Sequence, residues 1–309
     1  MDQPDVEAPA AAERARLRAY LLLTFTAFLW GCNAVAGRWA VGQVSPQALT
    51  TLRWAIGFAV LALFAGRRAV SERQALARRW RYVLAMGAVG YTAFASLFYL
   101  AGNYTSAVNV ALFQGAIPVL VLVMNFLARG VPVGLGQSLG VCVTLAGAAV
   151  AATHGDWNVL RTLSFNQGDL IMLVACLFYA GYTVALAARP KVDGVAFFTA
   201  MAAAAFLTSL PPLAAEWALG RLIWPTPWGW AIVAFVAVGP TLVAQLFFMR
   251  GVELIGPNRA GLFVNLVPVF GALLAVLVAR EPFGPGEALA LALVLGGILI
   301  AERTGRRKA

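Results

Sequence analysis

Charge is what this 309-residue sequence has least of: Asp, Glu, Lys and Arg together make up 12% of it, where a soluble domain carries about a quarter. The chain has a single histidine and three cysteines. Cys32, Cys142 and Cys176 each fall inside an apolar run, at spacings that form neither a metal set nor a disulfide framework, and read as inert packing thiols. Paired carboxylates within apolar segments are missing. So are a Ser/His/Asp set and a Gly-rich loop ending in Lys-Ser/Thr. These absences argue against an enzyme, a metal centre, a cofactor and direct drive by ATP.

Apolar residues fill the space that charge leaves. They account for 61% of the chain, and the mean hydropathy is +0.80. They come in runs about twenty residues long, and a helix of that length spans roughly 30 Å, the hydrocarbon thickness of a bilayer. A soluble core would need a polar face on each helix, and these runs have none. The sequence therefore predicts an all-α integral membrane protein with ten spans. They lie near 19–40, 46–66, 82–102, 107–129, 134–152, 168–188, 194–218, 227–249, 258–279 and 286–302. Residues 1–18 read as a cytoplasmic tail, 153–167 as a periplasmic linker holding His154, and 303–309 as a basic cytoplasmic tail.

The basic residues are distributed unequally. With the N-terminus placed in the cytoplasm, eighteen of the 23 Lys and Arg fall on the cytoplasmic side and four on the other, leaving Arg53 inside a span. That is a positive-inside pattern, with both termini cytoplasmic in a bacterial-type inner membrane. The net charge of +10 is thus a matter of topology and requires no nucleic-acid partner.

The chain also writes one long stretch twice. Gly90, Thr92, Ala95, Leu97, Phe98 and Gly102 recur as Gly239, Thr241, Ala244, Leu246, Phe247 and Gly251. One residue further out of step, Pro118, Gly134, Gly136 and Gly147 meet Pro268, Gly284, Gly286 and Gly297. A self-similarity at half the chain length points to duplication of a large unit, with repeats at 19–152 and 168–302. Five spans per repeat is an odd number, so the second copy enters the membrane from the opposite side. This predicts two inverted five-helix repeats around a central cavity.

Polar residues inside spans are costly unless they are satisfied or face a wet cavity. Trp30 and Asn33 in the first span match Tyr179 and Tyr182 in the sixth. Thr92, Ser96 and Tyr99 form a stripe at helical spacing in the third, repeated as Thr241, Gln245 and Phe248 in the eighth. Gln114 and Asn265 add amides in the fourth and ninth. Together these residues predict a binding cavity with hydroxyl and amide groups and an aromatic wall, suited to a small flat or apolar substrate. Against this stands a plainer use of the same groups, joining helices by hydrogen bonds. Pro118 and Pro268 each free a carbonyl and kink their helices near mid-membrane. Pro240, Pro211 and Pro212 have no repeat partner and read as packing kinks. Arg53 would neutralise a substrate carboxylate or serve a structural contact, and the structural role is favoured. Gly136 and Gly140 give a small-residue face on the fifth span that would suit a weak homodimer, with a monomer as the alternative.

Leu29-Trp30-Gly31-Cys32-Asn33, the Pro46 and Arg53 pair, Asn258-Arg259-Ala260, Pro268, Arg280-Glu281, Gly286, Gly296 and Gly297 resemble the ten-helix EamA-type members of the drug/metabolite transporter superfamily. The resemblance covers nearly the whole chain. It implies a secondary transporter exporting amino acids or related metabolites by alternating access, with spans five and ten at the periphery. The aromatic residues point to the aromatic-amino-acid exporter branch. Two features depart from the superfamily's other classes. The first span has no carboxylate of the kind that couples protons in the small multidrug exporters, and no buried cluster of bases matches the sugar-phosphate exchangers. Val131 also stands where the second repeat has Glu281. The competing readings are a non-transporting receptor or scaffold and an exporter of an unrelated metabolite or drug.

Overall fold

A computed structural model describes residues 7–130, 132–153 and 166–305, and every regular element among them is helical. Val131, His154, Arg161 and most of the linker and C-terminal tail lie outside the described residues. The first helix, α1 (Glu7–Trp39), begins well before the expected span. Residues 7–18, read above as part of a tail, are therefore helical, because Ala, Glu, Leu and Arg favour that state beyond the apolar run. Helix α2 (Pro46–Ser71) opens with Pro46 in its first turn after an extended Ser45, where the missing N–H costs nothing. The arginine-rich stretch 67–81, read as a connection, is also largely helical. It continues α2, then forms α3 (Arg73–Arg78) and enters α4 (Trp80–Met86), with Leu76 buried as an anchor.

After α4 the chain widens into a π-helix, Gly87–Ala93, and resumes as α5 (Phe94–Ala101). The next helices are α6 (Ala107–Gly115), α7 (Ile117–Arg129) and α8 (Leu135–Thr153). The second half begins with α9 (Gln167–Ala185) and α10 (Gly194–Ala218), followed by α11 (Pro227–Val236). A second π-helix, Ala237–Val243, follows at the position equivalent to the first, and leads into α12 (Ala244–Ile255). The chain closes with α13 (Pro257–Val264), α14 (Val267–Leu277) and α15 (Pro285–Gly305). The breaks between α6 and α7 and between α13 and α14 fall just before Pro118 and Pro268, as a proline that cannot donate to the preceding turn requires. Among the described residues, seven helices are long and apolar enough to cross a membrane, with three shorter apolar helices at Leu135–Ala151, Val267–Leu277 and Pro285–Ile300.

The helices pack in a regular scheme. Helix α2 lies on α10 and α8 on α15; α1 packs on α12 and α14, while α9 packs on α5 and α7. Close approach in the α8–α15 pair depends on small residues. A Cβ added at Gly147 would come within 2.8 Å of the Val294 nitrogen, and one at Gly297 within 2.5 Å of the Thr144 nitrogen. Gly140, read as part of a dimer face, is buried, and its carbonyl lies 2.6 Å from where a Gly297 Cβ would sit. Its surface is occupied within the chain.

One end of the bundle is tied across the two halves. Glu281 accepts from the backbone N–H of Ala107 at 2.9 Å and Val108 at 3.0 Å, and lies 3.8 Å from Arg38 Nε. A carboxylate at a helix N-terminus satisfies orphan donors and complements the helix dipole. Arg280, at φ 55°, turns the chain so that Glu281 reaches back to α6. At the same end Ser45 donates to Glu216 at 2.5 Å and Thr105 to the buried Asp169 at 2.6 Å. Helix α6 packs on α14 there. Among the described residues no comparable packing joins α7 to α13 at the opposite end, where α13 lies on α1 and α12.

Candidate functional site

A cavity lies between the two halves, and both π-helices contribute to its wall. In the second, Pro240 has no N–H to offer the Val236 carbonyl, which accepts instead from the Thr241 hydroxyl at 2.8 Å. The widened turn exposes the Pro240 carbonyl, which accepts from Trp30 Nε1 at 3.2 Å. In the first, Gly90 leaves room for a ring: a Cβ there would fall 2.2 Å from the Tyr182 ring. Pro240, read as a packing kink, thus shapes the cavity wall.

The cavity offers about 100 Å³ to the centre of a water molecule, room for several waters at roughly 10–15 Å³ each. Its lining is mostly apolar, with polar side chains from both halves set into it. Six of the residues singled out from the sequence line it: Trp30, Asn33, Gln114, Tyr179, Thr241 and Gln245. The others do not. Thr92 donates to the Ala205 carbonyl at 2.9 Å and pairs with Thr208 at 2.8 Å, joining its helix to α10. Ser96 donates to Gln47 Oε1 at 2.7 Å. Tyr99 is buried behind the wall, Phe248 packs on Trp30 with ring centroids 5.5 Å apart, and Tyr182 stands behind Tyr179 at 5.4 Å. Asn265 sits in the turn between α13 and α14, off the cavity wall.

Other wall residues were not among those candidates: Arg53, Trp54, Tyr91, Phe94 and Phe198. Trp54 and Tyr91 are stacked at 4.5 Å and 4°. Arg53, 9% exposed, donates to the Tyr99 hydroxyl at 2.6 Å, and Tyr99 donates on to Asn33 Oδ1 at 2.9 Å. The guanidinium carbon lies 5.3 Å from the Trp54 ring centroid and 5.8 Å from that of Tyr99, within cation–π range. Its charge, isolated in an apolar run, was the signal available in the sequence. The result is a chamber with aromatic faces, amides from both halves and one buried cation. It can hold a small molecule with a flat apolar body and hydrogen-bonding groups.

An uncharacterized transporter, YyaM of Bacillus subtilis (strain 168), is 25% identical over 296 residues, spanning 93% of this chain and 94% of its own. The aromatic amino acid exporter YddG of Ancylobacter novellus is 26% identical over 291 residues, spanning 93% of this chain and 98% of its own. A solved structure, described only as the crystal structure of a protein, superposes with a TM-score of 0.67 at 23% identity, over 94% of this chain and 98% of that one. This last likeness speaks for the fold alone. The model of the EamA-like transporter family matches twice, at residues 17–153 and again at 166–302. This chain is a multi-pass membrane protein that belongs to the EamA-like transporter family.

Proposed function

We propose that the chain is a secondary transporter that exports aromatic or other hydrophobic amino acids, or related small metabolites, by alternating access. The cavity carries this reading: it is built from both halves, with ring faces and amide groups around a space large enough to hydrate. The relative named as an aromatic amino acid exporter supports the substrate class. The six sequence-derived residues that line the cavity, with Arg53 and Trp54, are the proposed binding set, and Pro118 and Pro268 are the proposed kinks about which the helices rock.

The architecture behind this proposal is ten spans in two inverted repeats, 19–152 and 168–302, with the N- and C-terminal segments in the cytoplasm. Packing supports it, because the pairs come as mates. Helix α1 on α12 mirrors α9 on α5, α1 on α14 mirrors α9 on α7, and α2–α10 and α8–α15 each pair a helix with its own repeat. Gly147 on Val294 and Gly297 on Thr144 repeat this at the level of residues. Among the described residues, α6–α14 is the most extensive contact without a comparable mate. In an inverted repeat that asymmetry is the mark of one access state, closed at the Glu281 end and poised open at the other. The excess of Lys and Arg on the opposite end supports placing the closed end outside.

Saturable uptake of labelled phenylalanine into proteoliposomes, with trans-stimulated exchange, tests the proposal. Absence of saturable flux for phenylalanine, methionine and threonine overturns the substrate class.

A further inference from the structure

The cavity is electrically one-sided. Among the described residues its wall includes one cation, Arg53, and no Asp or Glu. A buried guanidinium ordinarily faces a carboxylate, since an uncompensated charge in a low-dielectric interior is expensive. Here its partners are neutral: the Tyr99 hydroxyl and two ring faces. Arg53 Nε is buried without a hydrogen-bond partner, and so is the indole Nε1 of its neighbour Trp54. The wall therefore has a surplus of donors and positive charge, and lacks an anionic acceptor.

A role confined to packing accounts poorly for this arrangement. Joining α2 to α5 through the Tyr99 hydroxyl would need one neutral donor, and a glutamine would supply it without burying a charge. A cation retained beside a cavity, with donors left over, matches a ligand that brings the missing charge. The rings of Trp54 and Tyr91 are stacked next to it and give a flat apolar surface within reach of the same ligand. Among the described residues of the lining, no acid is placed to receive an ammonium group.

We propose that Arg53 is the carboxylate anchor of the central cavity, and that the ligands of this chain are small aryl or apolar carboxylates for which an α-ammonium is dispensable. The proposal rests on the reading of the cavity as the substrate site, and it sharpens that reading: the carboxylate is required, and the amino group is not. Aromatic amino acids satisfy the rule, and so do aryl acids that are not amino acids.

The full chain in lipid nanodiscs tests it, with binding read from quenching of tryptophan fluorescence. The probes are 3-phenylpropanoate, phenylalanine, 2-phenylethylamine and 2-phenylethanol, which share one ring and differ in charge. The two carboxylates are expected to bind at least tenfold more tightly than the amine, as a charge-assisted hydrogen bond of about 1.5–3 kcal/mol implies. Arg53→Gln should remove that advantage, and Arg53→Lys should restore part of it. Equal binding of amine and carboxylates overturns the anchor, as does an Arg53→Gln protein that keeps carboxylate selectivity or loses all four ligands alike. Should Arg53→Gln fail to fold, the contrast between anion and cation in the unaltered chain still decides. Flux in proteoliposomes is read separately: charge-selective binding without flux overturns export and leaves the anchor standing, whereas flux indifferent to ligand charge does the reverse.

Discussion

Tyr99 shows how one side chain joins the site to the scaffold. Its hydroxyl accepts from Arg53 and donates to Asn33, so helices α2, α5 and α1 meet at a single oxygen. Tyr99→Phe would leave two buried polar groups short of a partner, at about 1–3 kcal/mol each. Thermal unfolding in detergent should show a clear drop in Tm, and an unchanged Tm would mean that the chain of bonds contributes nothing. The sequence put Tyr99 in a stripe expected to face the cavity, and the structure buries it behind the wall. Periodicity puts Thr92, Ser96 and Tyr99 on one face. It does not say that α10, Gln47 and Arg53 are what that face meets. Arg53 illustrates the converse: its charge stood out, and only packing against Tyr99 and Trp54 turned it toward a site.

At the scale of helices, the duplicated π-turns were invisible in the sequence, while their causes were not. Gly90 and Pro240 break the α-helical pattern for different reasons, one by leaving room for Tyr182 and the other by withholding an N–H. Gly90 matches Gly239 in the repeat, so Gly90 and Pro240 stand one position apart, and a residue-by-residue comparison does not pair them. Small residues were more legible. Gly147 and Gly297, aligned from the duplication, sit in one α8–α15 contact. Gly297→Leu would drive a side chain into the Thr144 backbone, at about 1–3 kcal/mol or more. Lower folded yield and a lower Tm are the expected outcome, read by size-exclusion chromatography and thermal unfolding. A variant as stable as the parent would show that the two helices are free to separate.

For the whole molecule, the spacing of apolar runs located the helices because a bilayer demands length and apolarity together. The extra helical turns at 7–18 and 67–81 escaped that test because they are polar. The asymmetry at the Glu281 end was also beyond reach, since it rests on contacts between helices far apart in the chain, which periodicity does not report. Glu281→Ala removes the acceptor from the N-terminus of α6 and should favour opening at that end. A longer distance component between spin labels at Tyr104 and Phe283, both exposed, is expected by pulsed electron resonance in a background without native cysteines. An unchanged distribution would mean that the carboxylate does not hold this end shut.

Transport, as proposed, takes a small molecule across the membrane through the chamber shared by the two halves. Exchange of labelled phenylalanine in proteoliposomes, comparing the unaltered chain with Gln245→Trp, tests it most directly, because Gln245 lines the cavity and a bulky ring there would fill it. Saturable, trans-stimulated flux is expected in the unaltered chain, with a loss of at least tenfold in a variant that folds normally. Equal flux through both proteins would contradict it.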